Sequence, residues 1–256
     1  MKKIILTVKL FLVSVLFSSL VSAVTGEYPL DKVDVDPTDK ASLQRGMKYY
    51  QNWCAGCHAT GFQRYERVAD DLGIPYDLMM DNLVFDKNAK IGSLMKNSMN
   101  PDEAKEWFGV TPPDLTLVSR VRGGPDWLYT YLRTFYEDPK RPYGVNNKVF
   151  PDVGMPHVLY ELQGIQLDTC QGTSPSVRDP LTGDKICGLM LDPERKGSMT
   201  PVEFDQMVYD LVNFLAYSAE PMKEERKQLG VYVFLFLILL FVFAFLLKRE
   251  YWKDVH

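Results

Sequence analysis

The run Trp53-Cys54-Ala55-Gly56-Cys57-His58 has the form C-x-x-C-H. This is the pattern at which two thiols add across the vinyl groups of a porphyrin and the next imidazole becomes an iron ligand. A C-x-x-C alone also suits half a zinc site or a redox dithiol. Zinc would need two further ligands, and the other candidates, Cys170, Cys187, His157 and His256, fall in no second C-x-x-C or H-x-x-x-H spacing. A thioredoxin-like dithiol would want a preceding strand, yet Leu43, Met47, Tyr50 and Cys54 recur at i, i+4, i+7 and i+11, the stripe of a helix beginning near Thr38. The run therefore reads as covalent attachment of one haem c through Cys54 and Cys57, with His58 as an axial ligand.

Working outward, the two ends of the chain differ from its middle. Met1 to Ala23 carries Lys2, Lys3 and Lys9, then an uncharged run to Val21 and a small-x-small site at Val21-Ser22-Ala23, the layout of a cleaved signal peptide. Gly230 to Leu247 is 18 residues without a charge, about 27 Å of helix and enough for the hydrocarbon core of a bilayer. Tyr251 and Trp252 follow as interfacial anchors in membrane lipid, and Lys248, Arg249 and Lys253 place the tail on the cytoplasmic side. The expected division is 1–23 leader, 24–222 haem domain, and 223–256 anchor with a span at about 230–247. Attachment of c-type haem outside the bacterial cytoplasm would put 24–222 in the periplasm, tethered to the inner membrane by one pass.

The 256 residues are 46% apolar and 24% charged, a globular composition. The formal charge of −4 becomes −7 once the three leader lysines are removed. That balance points away from nucleic acid and towards a basic partner.

Between the ends, 24–37 reads as an extended surface arm, and helices are expected over 62–72, 75–80, 81–95 and 127–135. Thr111-Pro112-Pro113-Asp114-Leu115 is stiff, because its prolines fix φ and remove donors. Arg120 and Arg122 precede Gly123-Gly124, with Trp127 just beyond, supplying guanidinium and indole donors suited to haem propionates. Residues 138–160 are rich in turn formers and hold Gly154-Met155-Pro156, a methionine on a rigid loop, next to His157, which reads as a surface histidine. Cys170 and Cys187 bracket 16 residues rich in Gly, Pro, Ser and Asp. In an exported chain whose other cysteines hold haem, a disulfide is the economical reading, contributing about 3 kcal/mol on the chain-entropy model. Thr200-Pro201-Val202-Glu203 is a capping box with proline at the first helical position, which pins Met199 just before a helix start.

Together WCAGCH, MNPDEAK at 99–105, TPPDL, RVRGGPDW, GMP at 154–156, the GSMTPVEFDQMVYDLVNFLAYSAEP block and the C-terminal anchor resemble the cytochrome c1 family of bacterial type. The resemblance implies a mostly α, cytochrome c-like haem domain with long loop insertions plus one C-terminal transmembrane helix. It also implies Met199 as the sixth iron ligand, with Met155 as the runner-up, and propionate or pocket contacts at Arg122 and Trp127, with Arg120 and Pro113 nearby. The Cys170–Cys187 pair is similar to a bridge found in some bacterial members. The implied role is the electron-transfer subunit of the respiratory bc1 complex, ubiquinol–cytochrome c reductase. Its partners would be cytochrome b, the Rieske iron–sulfur protein and a cytochrome c acceptor within a dimeric complex, and the chain itself would carry electrons without substrate chemistry. The alternative function is a membrane-anchored c-type cytochrome of another respiratory chain, such as a terminal-oxidase subunit or an electron shuttle.

Overall fold

The computed structural model describes residues 28–170, 177–178, 185–186 and 188–253. The expected leader, Cys187 and His256 lie outside the described residues. The helices are α1 (Lys40–Trp53), α2 (Tyr65–Leu72), α3 (Tyr76–Asn82), α4 (Pro101–Phe108), α5 (Val118–Val121), α6 (Pro125–Arg133), α7 (Tyr160–Gln163), α8 (Pro201–Ala219) and α9 (Lys223–Tyr251). The strands form antiparallel pairs set in the loops. These are β1 (Thr60–Arg64) with β2 (Leu94–Met95), β3 (Phe135–Glu137) with β4 (Val145–Asn147), β5 (Gly164–Asp168) with β8 (Leu189–Lys196), and β6 (Val177–Arg178) with β7 (Lys185–Ile186).

The core is built on α1 against α8. Asp39 caps α1 by accepting from the Ser42 N–H at 3.0 Å. The capping box on α8 forms as its sequence predicts: the Thr200 hydroxyl accepts from the Glu203 N–H, and the Glu203 carboxylate accepts from the Thr200 N–H at 2.8 Å. Leu43, Met47 and Tyr50 of α1 then bury against Val208, Leu211, Phe214 and Leu215 of α8. The helices meet at Gly46, where a Cβ would lie against the Asp210 carbonyl oxygen and 2.7 Å from Phe214 Cβ. Only hydrogen fits there.

Beside this crossing Asp210 is buried and fully engaged. Arg45 donates to it through Nε at 2.6 Å and Nη2 at 2.9 Å, Ser42 Oγ at 2.8 Å and Gln206 Nε2 at 3.2 Å. Asn213 extends the network to Ser42 Oγ and to the Asp36 carbonyl, fastening the N-terminal arm. Such a carboxylate favours one register of the two helices, because sliding them would strand a buried charge at a cost of several kcal/mol.

Two expected helices fall differently. Thr60–Arg64 is strand, and helix begins only at Tyr65, because the N–H groups of Tyr65 and Glu66 go to the carbonyls of Ser93 and Ile91. Past Asn82 the chain bends, with the Asp86 carboxylate taking the Asn88 N–H at 2.9 Å, so no helix covers 83–93. The C-terminal helix starts earlier than the apolar run alone suggests. Its 29 residues have no part buried within the protein, with a mean hydropathy of 3.0 over the apolar window. Its first turn is fixed by Glu220, which accepts from Arg226 at 2.6 Å and from Arg120 at 3.2 Å.

Gly46→Ala is expected to cost about 2 kcal/mol by overpacking the crossing, moving Tm down by roughly 4–8 °C in a chain of this size. A thermal melt of the detergent-solubilised protein measures it, and an unchanged Tm would show that the helices part freely.

Candidate haem site

The end of α1 turns tightly into the attachment run. Cys54 N–H closes on the Tyr50 carbonyl, and Cys57 and His58 N–H groups both return to the Cys54 carbonyl, at 3.1 and 2.9 Å. From outside, Tyr50 Oη donates to the His58 carbonyl at 2.8 Å and Asn97 Nδ2 to the Cys57 carbonyl at 2.6 Å. Nothing in the spacing of the sequence announces Asn97, which reaches the site from a loop 40 residues downstream.

Cys54, Cys57 and His58 open onto a cavity of about 360 Å³, walled by Val118, Leu128, Leu132, Phe150, Leu211 and Leu215. Protein interiors are close-packed, and an apolar void of this size forfeits contacts on all its walls unless something fills it. Both cysteines bordering it are free thiols. Burial pushes the Cys54 thiol up to about 12, so it stays protonated at neutral pH.

His58 has one defined tautomer. Its Nδ1 lies 2.7 Å from the Pro113 carbonyl, which can only accept, so Nδ1 carries the hydrogen and Nε2 keeps the free lone pair. Burial also holds the imidazole below its ordinary pKa, which keeps it neutral. Pro113 thus acts through its backbone oxygen while its segment forms part of the wall.

The methionine lining this cavity is Met155, whose Sδ is 3.4 Å from Tyr131 Oη. Met199 is partly buried against the same core. The segment before α8 lies along α7, with Ser198 N–H on the Glu161 carbonyl at 2.9 Å and Met199 N–H on the Leu162 carbonyl at 3.0 Å. The capping box and these two bonds fix the backbone at Met199, whose side chain is partly buried against the core of the haem domain.

Arg122 and Trp127 both line the cavity. Gly123 and Gly124 take φ of +89° and +92°, a bend open mainly to glycine, which turns the chain from Arg122 to Trp127. The Arg122 guanidinium lies over the Phe150 ring at 5.6 Å, and Trp127 stacks on Tyr131 at 4.9 Å. Arg120 is elsewhere, paired with Glu220 and not on the cavity wall.

His157 is buried rather than on the surface. It stacks on Phe135 at 5.0 Å, and desolvation pushes its pKa down to about 4. Cys170 is disulfide-bonded, while Cys187, its expected partner, lies outside the described residues.

Two free thiols, a neutral imidazole with its lone pair available, a thioether and an apolar hollow between them fit a covalent haem.

Comparison with known proteins agrees. The Cytochrome C1 family matches over residues 32–179 and 191–255. The chain is 49% identical to a cytochrome c1 of Allochromatium vinosum over all of both chains. It is 42% identical to a protein of Nitrosomonas europaea named ammonia monooxygenase gamma subunit, over 97% of this chain and 99% of that one. A cytochrome c1 of Rhodobacter capsulatus is 26% identical over 84% of this chain and 83% of its own. From its attachment run to its single apolar C-terminal helix, the chain belongs to the cytochrome c1 family, whose members carry one covalently bound haem c.

Proposed function

We propose that this chain accepts single electrons from the Rieske iron–sulfur protein and passes them to a cytochrome c, within a dimeric bc1 complex that couples quinol oxidation to proton translocation. The family supports the coarser part, a haem c electron-transfer subunit of ubiquinol–cytochrome c reductase. The observation carrying the rest is that Cys54, Cys57 and His58 border one apolar cavity. Bound there, haem c supplies a reversible one-electron iron couple, and an imidazole with a thioether in a dry pocket biases it towards the ferrous state.

The protein's own groups do the remaining work. Cys54 and Cys57 provide the thiols for covalent attachment. The Pro113 carbonyl orients His58 and raises its basicity as a donor. Met199, held just before α8 by the capping box, would be the thioether ligand that the family implies, with Met155 as the runner-up, and the aliphatic walls would exclude water. Arg122 and the Trp127 indole N–H are the donors for propionates at the rim. With an imidazole and a thioether as its ligands the bound iron would leave no place for a substrate, so the chain would relay charge while the complex performs the chemistry. Cys170 and Cys187 would staple the excursion between β5 and β8.

Placement follows from α9. Its span would pack beside cytochrome b in lipid, with Lys248, Arg249 and Lys253 on the cytoplasmic side and the haem domain in the periplasm.

Met199→Leu is expected to lower the haem potential and open the reduced iron to carbon monoxide, whereas Met155→Leu should leave both largely unchanged. The reverse result would move the ligand role to Met155. Purification in mild detergent should bring down a cytochrome b and a Rieske protein. Recovery of the haem chain with oxidase subunits instead would favour a different respiratory chain.

A further inference from the structure

We infer that Asp114 is a positioning residue for the axial imidazole: its carboxylate clamps the segment carrying the Pro113 carbonyl to the strand that leaves the attachment run. The inference rests on the reading of His58 as an iron ligand. The imidazole is oriented by the bond from Nδ1 to the Pro113 carbonyl at 2.7 Å, so its placement is only as good as the placement of that oxygen. Neither Pro112 nor Pro113 has an N–H with which to fix itself. The carbonyl must therefore be held by the residues that follow it.

Those residues lie alongside the start of β1. The Ala59 carbonyl accepts from the Leu115 N–H at 2.8 Å, and the Phe62 N–H reaches Thr116 Oγ1 at 3.3 Å. Between these two contacts sits the Asp114 carboxylate. Its Oδ2 accepts from the Gly61 N–H at 2.7 Å and its Oδ1 from the Thr116 N–H at 2.8 Å, so one oxygen serves each segment. Bonds to an ionised acceptor are roughly twice as strong as neutral ones. They matter here because β1 takes its ladder partner from β2 and not from this segment. On its other side the segment is tied to α8, where Ser218 Oγ donates to the carbonyl of the buried Thr116 at 3.2 Å.

Gly61 marks the same contact independently. A Cβ there would lie 3.0 Å from Asp114 Oδ2 and otherwise meet nothing closer than 3.9 Å. A bare position lets the carboxylate close on the backbone donor. Asp114 thus reaches His58 through the Pro113 oxygen, spending both of its own oxygens on N–H groups. An imidazole whose Nδ1–H is held by a carbonyl is the more basic donor, and a more basic donor favours ferric iron. Slackening the clamp lengthens that bond and shifts the couple towards ferrous.

The test uses the full haem-loaded chain in detergent, comparing the parent with Asp114→Asn, Asp114→Ala and Gly61→Ala. Two readouts apply: the midpoint potential, and solvent exchange of the hyperfine-shifted imidazole N–H in the proton spectrum of the oxidised protein. Asp114→Ala should raise the ferrous-to-ferric ratio at a fixed electrode potential roughly tenfold, about 59 mV in midpoint for one electron. It should also speed exchange of that N–H roughly tenfold, the scale of one lost hydrogen bond to a charged group. Asp114→Asn, which keeps one oxygen acceptor, should fall between parent and alanine. Gly61→Ala keeps the charge but displaces the carboxylate, and should move both readouts in the same direction.

Were the Asp114 variants to shift the potential while Gly61→Ala matched the parent and exchange never changed, the carboxylate would act by charge alone and the positioning role would be wrong. A lower melting temperature with both readouts unchanged would make Asp114 structural only, which also overturns the inference. If the Asp114 variants do not accumulate, Gly61→Ala is read by the same criteria. Absence of an exchangeable, hyperfine-shifted imidazole proton from the parent would sink the ligand reading of His58 itself, separately from the role of Asp114.

Discussion

The contact on which the molecule depends is the bare approach of α1 to α8 at Gly46. It lets two helices, far apart in sequence, touch backbone to side chain, and both ends of the haem site hang from them. One helix ends in the attachment run, and the other supplies Leu211 and Leu215 to the cavity wall. The Arg45–Asp210 pair contributes register rather than much net attraction, because the cost of desolvating the carboxylate offsets most of its Coulomb gain. Packing holds the helices together, and the buried charge decides how they align.

Around that frame the site is arranged by backbone oxygens and amide side chains more than by charged groups. The Pro113 carbonyl fixes a tautomer, Asn97 and Tyr50 pin the attachment turn from two sides, and Tyr131 braces the opposite loop. The ionic pairs of the haem domain lie away from the cavity, as with Arg133 on Asp31 and Asp205 or Arg195 on Glu137. An apolar, weakly charged lining limits how much the surroundings must reorganise when the iron changes oxidation state.

The parts of this arrangement legible in the sequence were those written locally. C-x-x-C-H, the capping box at Thr200, the stripe of α1 and the long apolar helix each need only a few neighbouring residues to be read. The strand at Thr60–Arg64 was missed because its hydrogen bonds come from a segment some 30 residues away, which no local periodicity reports. Met155 and Met199 show the same difficulty: both stand beside a rigid element, and sequence gives the rigidity but not the direction of the side chain. Arg120 illustrates a related limit, since its acid partner lies 100 residues later at the foot of α8.

That partner has a mechanical consequence. Between the last soluble helix and the membrane helix stand only Glu220, Pro221 and Met222, and Glu220 clasps an arginine on each side of the junction. Three residues reach at most about 10 Å even when fully extended, and here one is a proline and another is doubly bridged. The chain has no long tether between α8 and α9, which leaves the haem domain little freedom to swing about the foot of the apolar helix.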